Sequence, residues 1–84
     1  MNATLLLLQV ALRAHPKSPA CTDMSSEYAD QMEVGIGDND YNVLVEPDGN
    51  LSVQLLTESY DDTITILNGA TYVETLTLFK ALLR

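Results

Sequence analysis

The chain has 84 residues, of which 12 are acidic and four are basic, and its formal net charge is −8. Hydrophobic residues make up 46% of the sequence, which suits one small folded domain with a mostly aliphatic core. A single cysteine excludes an intramolecular disulfide and supplies no metal-ligand set. We therefore expect a single domain over residues 1–84 with no cofactor.

A first helix is predicted near the beginning of the chain, because Asn2 is a suitable N-cap and Pro16 ends the apolar run that follows. This run, TLLLLQVALRA at 4–14, is apolar on nearly every side of such a helix. The run is too short to span a bilayer as a helix. A signal peptide has positive residues before its apolar run, and none precedes this one, so we expect a cytoplasmic protein. The excess apolar surface favours a homodimer or larger complex over a monomer.

The next segment is predicted to be a connector followed by a short helix. Two prolines within 15–21 favour an irregular connection. Met24, Tyr28 and Met32 then recur at intervals of four residues, which is typical of one helical stripe. The predicted short helix begins at Asp23 or Ser25 and ends near Met32.

From Glu33 onward, apolar residues recur at every second position, which predicts β-strands. The runs 41–46 and 51–56 are separated by Pro47-Asp48-Gly49-Asn50, a sequence typical of a β-turn. They are predicted to pair as an antiparallel hairpin with Val43 and Val53 facing the helices. A further run, 63–67, is predicted to end at Asn68-Gly69.

The last helix is predicted from Thr71-x-x-Glu74, which matches a capping box ahead of an apolar run. Threonines at 71, 75 and 77 lower its helix propensity, so the beginning of a strand stays open as an alternative. The predicted fold class is α+β: a small antiparallel meander of three or four strands packed against N- and C-terminal helices.

The distribution of charge is more informative than its total. All 12 acidic residues lie between Ser18 and Phe79, and no Lys or Arg lies between them. Such a segment cannot bind nucleic acid through phosphate contacts, and an anionic membrane would repel it. A basic partner, a cation or solubility alone remain as interpretations.

Alternate turns of a meander lie at the same end of its sheet, which brings the acidic residues of two loops together. We call the predicted cluster the acidic pole, and we expect it to bind a basic protein surface. Its members are Asp38, Asp40, Glu58, Asp61 and Asp62. Glu46 and Asp48 are expected at the opposite end of the sheet, close to Glu74.

Catalysis is not favoured by the residues available. His15 and Cys21 are the only His and Cys, and both lie in the predicted connector, so neither is assigned a role. Residues 38–42 resemble the beginning of an EF-hand calcium loop, but Val43 replaces its glycine and Gly49 its bidentate glutamate. A divalent cation in this turn stays open as an alternative.

The leading hypothesis is a non-enzymatic inhibitor or decoy that occupies the basic site of a nucleic-acid-binding protein, with carboxylates in place of phosphates. By general analogy, small acidic proteins of this kind occur among phage anti-defence proteins, including inhibitors of CRISPR effectors, and among immunity proteins. The alternative is a structural or assembly module that acts through its apolar helices, with the acidic surface serving only solubility. A divalent-cation binder is the third hypothesis.

Overall fold

The architecture is taken from a computed structural model, which describes residues 2–57 and 62–84. In chain order the elements are α1 (Ala3–Arg13), β1 (Ala20–Asp23), β2 (Gln31–Ile36), β3 (Asn39–Val45), β4 (Leu51–Leu56), β5 (Thr63–Ala70) and α2 (Tyr72–Leu82). All five strands form one antiparallel sheet in the order β1-β2-β3-β4-β5. The α+β class and the meander are confirmed, and the strand number is five rather than three or four.

Both terminal helices begin at the predicted caps. Asn2 Oδ1 accepts hydrogen bonds from the N–H groups of Thr4 and Leu5, at 2.8 and 3.4 Å. Thr71 and Glu74 form the complete capping box, with Thr71 N–H donating to Glu74 Oε1 at 3.1 Å. The alternative of a strand after Thr71 is wrong, because the Thr75 hydroxyl donates to the Thr71 carbonyl one helical turn earlier.

The core lies between the two helices and one face of the sheet. α1 buries Leu5, Leu8 and Leu12, and α2 buries Phe79, whose ring meets that of Tyr41 edge-on at a centroid distance of 6.0 Å. The sheet contributes alternate residues, as a half-buried antiparallel sheet should. The buried members on the strands are Met32, Val34, Tyr41, Val43, Leu51 and Val53.

The β3–β4 hairpin is confirmed together with its buried face. Val43 pairs with Val53, and both side chains are fully buried beneath the helices. The turn closes through hydrogen bonds from Gly49 N–H to the Glu46 carbonyl and from Glu46 N–H to the Asn50 carbonyl. Gly49 has φ +88°, a left-handed conformation that glycine adopts without strain.

The predicted short helix before Met32 is wrong. Gln31–Ile36 is strand β2, in which Met32 pairs with Val43 and is fully buried. Met24 and Tyr28 instead lie in the preceding loop and are 47% and 89% exposed. Their regular spacing therefore does not mark a shared apolar face.

Two strand boundaries also differ from prediction. The predicted connector contains the beginning of β1, an edge strand in which Cys21 pairs with Val34. Asn68-Gly69 does not end β5, which continues to Ala70 through register shifts opposite Leu51–Gln54. Gly69 has φ +62°, so the glycine forms an irregularity within the strand rather than a terminating turn.

Candidate binding surface

The side of the sheet opposite the helices is not covered by either helix, and we call it the open sheet face. Its centre is a row of directly paired polar residues that crosses all five strands. The row consists of Thr22, Glu33, Asn42, Gln54 and Thr65. The Asn42 side chain donates to Gln31 Oε1 at 3.1 Å, which fixes the amides of adjacent strands relative to each other.

The strands place carboxylates on the open sheet face and no cation. Every strand lies within the segment that has no Lys or Arg, so no strand can place a basic side chain on this face. Glu33 lies in the central row, and Asp40 lies in the adjacent row, where it pairs with Gly35. A Cβ at Gly35 would sit 3.4 Å from Asp40 Oδ1, so the glycine leaves room for this carboxylate against the sheet.

The register places the described members of the acidic pole at one end of the sheet. Asp38 lies in the β2–β3 turn, and Asp40 pairs with Leu56, which in turn pairs with Thr63. Asp62 directly precedes Thr63, and all three described carboxylates are exposed. Glu58 and Asp61, the other predicted members, lie outside the described residues.

Basic residues from outside the acidic segment approach the same end of the sheet, on its helix side. Lys17 and Arg84 line a groove of about 390 Å³ together with Gly35, Ile36 and Gly37. Both cations lie outside the acidic segment in the sequence, and only the fold brings them near the β2–β3 turn. The acidic pole therefore has a basic border on the side of the helices.

A second acidic surface lies at the opposite end. Glu27, Asp30 and Glu46 line a groove of about 440 Å³ between the 24–30 loop and the end of β3. Glu46 also accepts a hydrogen bond from the buried Ser52 hydroxyl at 2.6 Å. Glu74 lies in the first turn of α2, which follows Ala70, the partner of Leu51 at this end.

In the part of the chain that the structure describes, the turn at 38–42 does not form a metal site, and His15 and Cys21 do not form a catalytic pair. Asn39 already belongs to β3, so a calcium-loop conformation does not continue beyond it. No group of three or more His, Cys, Asp or Glu in the described ranges is arranged to hold a metal ion.

The sulfur of Cys21 and the ring of His15 bind separate parts of the backbone. Cys21 Sγ donates to the Pro19 carbonyl at 3.7 Å, whereas His15 Nδ1 accepts from the Lys17 N–H at 3.1 Å. Burial raises the pKa of the Cys21 thiol, and the nearby Arg13 offsets only part of this rise. These contacts give both side chains local structural roles.

Sequence reasoning singled out the loops and did not name the open sheet face. The signal was present, because Glu33, Asn42 and Gln54 alternate with buried residues on their strands. Thr22 and Thr65 could not be added, since the β1 strand was not predicted and the β5 register depends on an irregular pairing.

Comparison with known proteins gives no relative: no family model, curated protein or solved structure matches the chain. Within the described residues, neither helix combines the length and the apolarity that crossing a bilayer requires.

Proposed function

We propose that this protein is a non-enzymatic binding protein whose open sheet face and acidic pole engage a basic surface of another protein. The observation that carries the proposal is the uncovered face of a five-stranded sheet that has no Lys or Arg on any strand. A charged surface of one sign steers an oppositely charged partner and accelerates its association.

The dimensions of the sheet indicate how much of this surface a partner must use. Five strands of about six residues give a face of roughly 24 by 20 Å, or about 480 Å². A standard protein interface buries about 800 Å² on each partner. The face alone is too small, so we include the adjoining acidic pole, with Asp38, Asp40 and Asp62, in the same binding surface.

For the chemistry of the partner we propose a nucleic-acid-binding protein in the cytoplasm. Its basic channel attracts phosphates mainly through Lys and Arg, and a rigid array of carboxylates competes for the same side chains. The protein would then act as an inhibitor or decoy that excludes nucleic acid from the channel.

A second candidate function is assembly through the helices. It is favoured by the exposure of Leu6, Leu7 and Val10 on α1, which are 51%, 60% and 59% accessible. The two candidates differ in their response to salt, because an apolar contact does not weaken as charges are screened.

The test is a pull-down from a lysate with wild type and with a triple variant of the pole, Asp38→Asn, Asp40→Asn and Asp62→Asn. The pull-down is done at about 50 mM and at about 500 mM salt, because this increase shortens the Debye length from about 14 to about 4 Å. The matched control removes the same charge elsewhere, through Glu27→Gln, Asp30→Asn and Glu46→Gln. A partner captured by wild type and control only at low salt, and lost by the triple variant, supports the proposal.

The captured protein is then tested directly for competition. Its nucleic-acid binding should fall as wild type is added and should be unaffected by the triple variant. Capture that is equal for all three proteins at both salt concentrations contradicts the proposal and favours assembly through the helices.

A further inference from the structure

The outer face of α1 is an apolar surface that the domain itself does not cover. Leu5, Leu8 and Leu12 face the sheet and are buried, whereas Leu6, Leu7 and Val10 are each more than half exposed. On α2, Val73 is 68% exposed, and the adjacent Tyr72 hydroxyl donates to the Leu7 carbonyl. The exposed side chains therefore belong to one layer of the molecule.

The outward residues of α1 have the spacing of a coiled-coil seam. Ala3, Leu7, Val10 and Ala14 are all exposed and follow one another at intervals of four, three and four residues. This is the spacing of a and d positions, which face a neighbouring helix over two heptads. We call these four residues the outward stripe.

The outward stripe is complementary to itself when read in the opposite direction. In an antiparallel pair of α1 helices centred between Leu8 and Gln9, Leu7 faces Val10 of the second copy. Ala3 likewise faces Ala14 of the second copy, so large residues meet at the centre and small residues meet at both ends. Antiparallel a-to-d pairing of this kind is compatible with a twofold axis, which requires a self-complementary patch.

The distribution of charge also favours contact between copies through the helix layer. Each copy has a net charge of −8, and Glu74 is the only acidic residue within either helix. α1 itself has one charged residue, Arg13, which in the antiparallel arrangement faces Thr4 of the second copy and not another Arg13. Two copies therefore meet with least repulsion through their helix layers.

The area available fits a weak, concentration-dependent dimer. Leu6, Leu7 and Val10, each a little more than half exposed, can bury roughly 300 Å² per copy. Adding Val73 and the two alanines of the outward stripe brings the total over both copies to about 1,000 Å². Specific interfaces begin near this size, so the dimer should dissociate on dilution.

We propose that two copies of this chain dimerise by packing α1 on α1 in antiparallel orientation about a twofold axis. The sheets then lie on the outside, and the two open sheet faces point away from each other. This arrangement does not depend on the proposed function.

The test is sedimentation equilibrium from about 10 μM to about 1 mM, the range in which a weak interface associates. Wild type should show a concentration-dependent rise from monomer to dimer mass. Leu7→Lys and Val10→Glu should each weaken dimerisation by roughly 100-fold or more, because each places two charges against apolar side chains. Ile64→Lys, at an apolar position 53% exposed on β5, is the matched control and should dimerise as wild type does.

Mixing the two α1 variants tests the register. In the proposed arrangement Lys at position 7 of one copy faces Glu at position 10 of the other, so the mixture should form a heterodimer that neither variant forms alone. The triple variant of the acidic pole should still dimerise, which separates this proposal from the proposed function. A wild type that stays monomeric at 1 mM, or a dimer broken by Ile64→Lys and not by Leu7→Lys, overturns the proposal.

Discussion

Neutralising Asp40 should stabilise the folded protein slightly, because this carboxylate shares the open sheet face with Glu33 and with no strand-borne cation. Glu33 on β2 pairs directly with Asn42 on β3, and Asp40 lies two residues before Asn42, opposite Gly35. Glu33 and Asp40 are therefore diagonal neighbours across the two strands. Diagonal neighbours are about 7–8 Å apart, where two unit charges in water repel by about 0.5 kcal/mol. At physiological ionic strength screening reduces this to about 0.2 kcal/mol.

The assay is urea denaturation of wild type, Asp40→Asn, Glu33→Gln and the double variant in salt of about 10 mM and about 500 mM. At low salt each single variant should gain about 0.5 kcal/mol, and the double variant should gain less than the sum, because the repulsion is removed only once. At high salt the gain should disappear. Glu27→Gln, in an exposed loop outside this face, is the control. A loss of more than about 1 kcal/mol in Asp40→Asn would refute the reasoning, since the carboxylate would then be making a stabilising contact.

Four further predictions concern the scaffold that holds this surface. Thr71→Ala removes the hydroxyl that accepts from Glu74 N–H and should lower the free energy of unfolding by about 1 kcal/mol in urea, whereas an unchanged midpoint would mean that the cap is not formed. Hydrogen bonds from Thr71 hold the pKa of Glu74 below its ordinary value. The contribution of Glu74 to folding stability is therefore present above its unfolded pKa and is lost as pH falls through its folded pKa. Glu74→Gln should remove this part of the acid-induced loss of stability, measured by thermal melts below about pH 5. Gly69→Ala should lower the free energy of unfolding by about 1–2 kcal/mol, because φ is +62° at this residue, although nothing lies within 4 Å of the new Cβ. Gly35→Ala is the comparison, since Gly35 has an ordinary φ and its replacement introduces no such backbone strain. Burial raises the pKa of the Cys21 thiol, so alkylation near neutral pH should be slower in the folded protein than in urea. Equal rates would contradict the packing of this β1 residue against the core.

The elements that the sequence predicted correctly are those in which local and tertiary requirements agree. In the β3–β4 hairpin, Val43 and Val53 belong to runs in which an apolar residue recurs at every second position, and the turn between the runs has a proline and a glycine at suitable positions. The two helices likewise begin at side chains that cap them, Asn2 and Thr71. Each of these signals depends on a few neighbouring residues.

The elements that were missed depend on contacts distant in sequence. β1 has four residues with little alternation, and it exists because it pairs with β2 and lies beside α1. Met32 was assigned to a helix by its spacing from Tyr28, whereas its burial is decided by pairing with Val43. Gly69 was read as the end of a strand, although the pairing of Ala70 with Leu51 continues β5 past it.

The candidate surface was predictable in part. The meander topology brings Asp38, Asp40 and Asp62 to one end, as expected from the alternation of turns. The row across the open sheet face required the register of all five strands, and the basic border required the positions of Lys17 and Arg84 in the folded chain. Neither can be derived from spacing along the sequence.

The most direct test of the central claim is the association rate with a purified basic partner, measured by stopped-flow fluorescence over a salt series. Wild type should associate fastest at low salt and slow steeply as salt rises, because the acidic surface steers the encounter. The variant with Asp38→Asn, Asp40→Asn and Asp62→Asn should associate at least about tenfold more slowly at low salt, with a shallower salt dependence and a similar rate at high salt. Equal association rates for the two proteins at low salt would contradict the account, since the carboxylates would then contribute nothing to recognition.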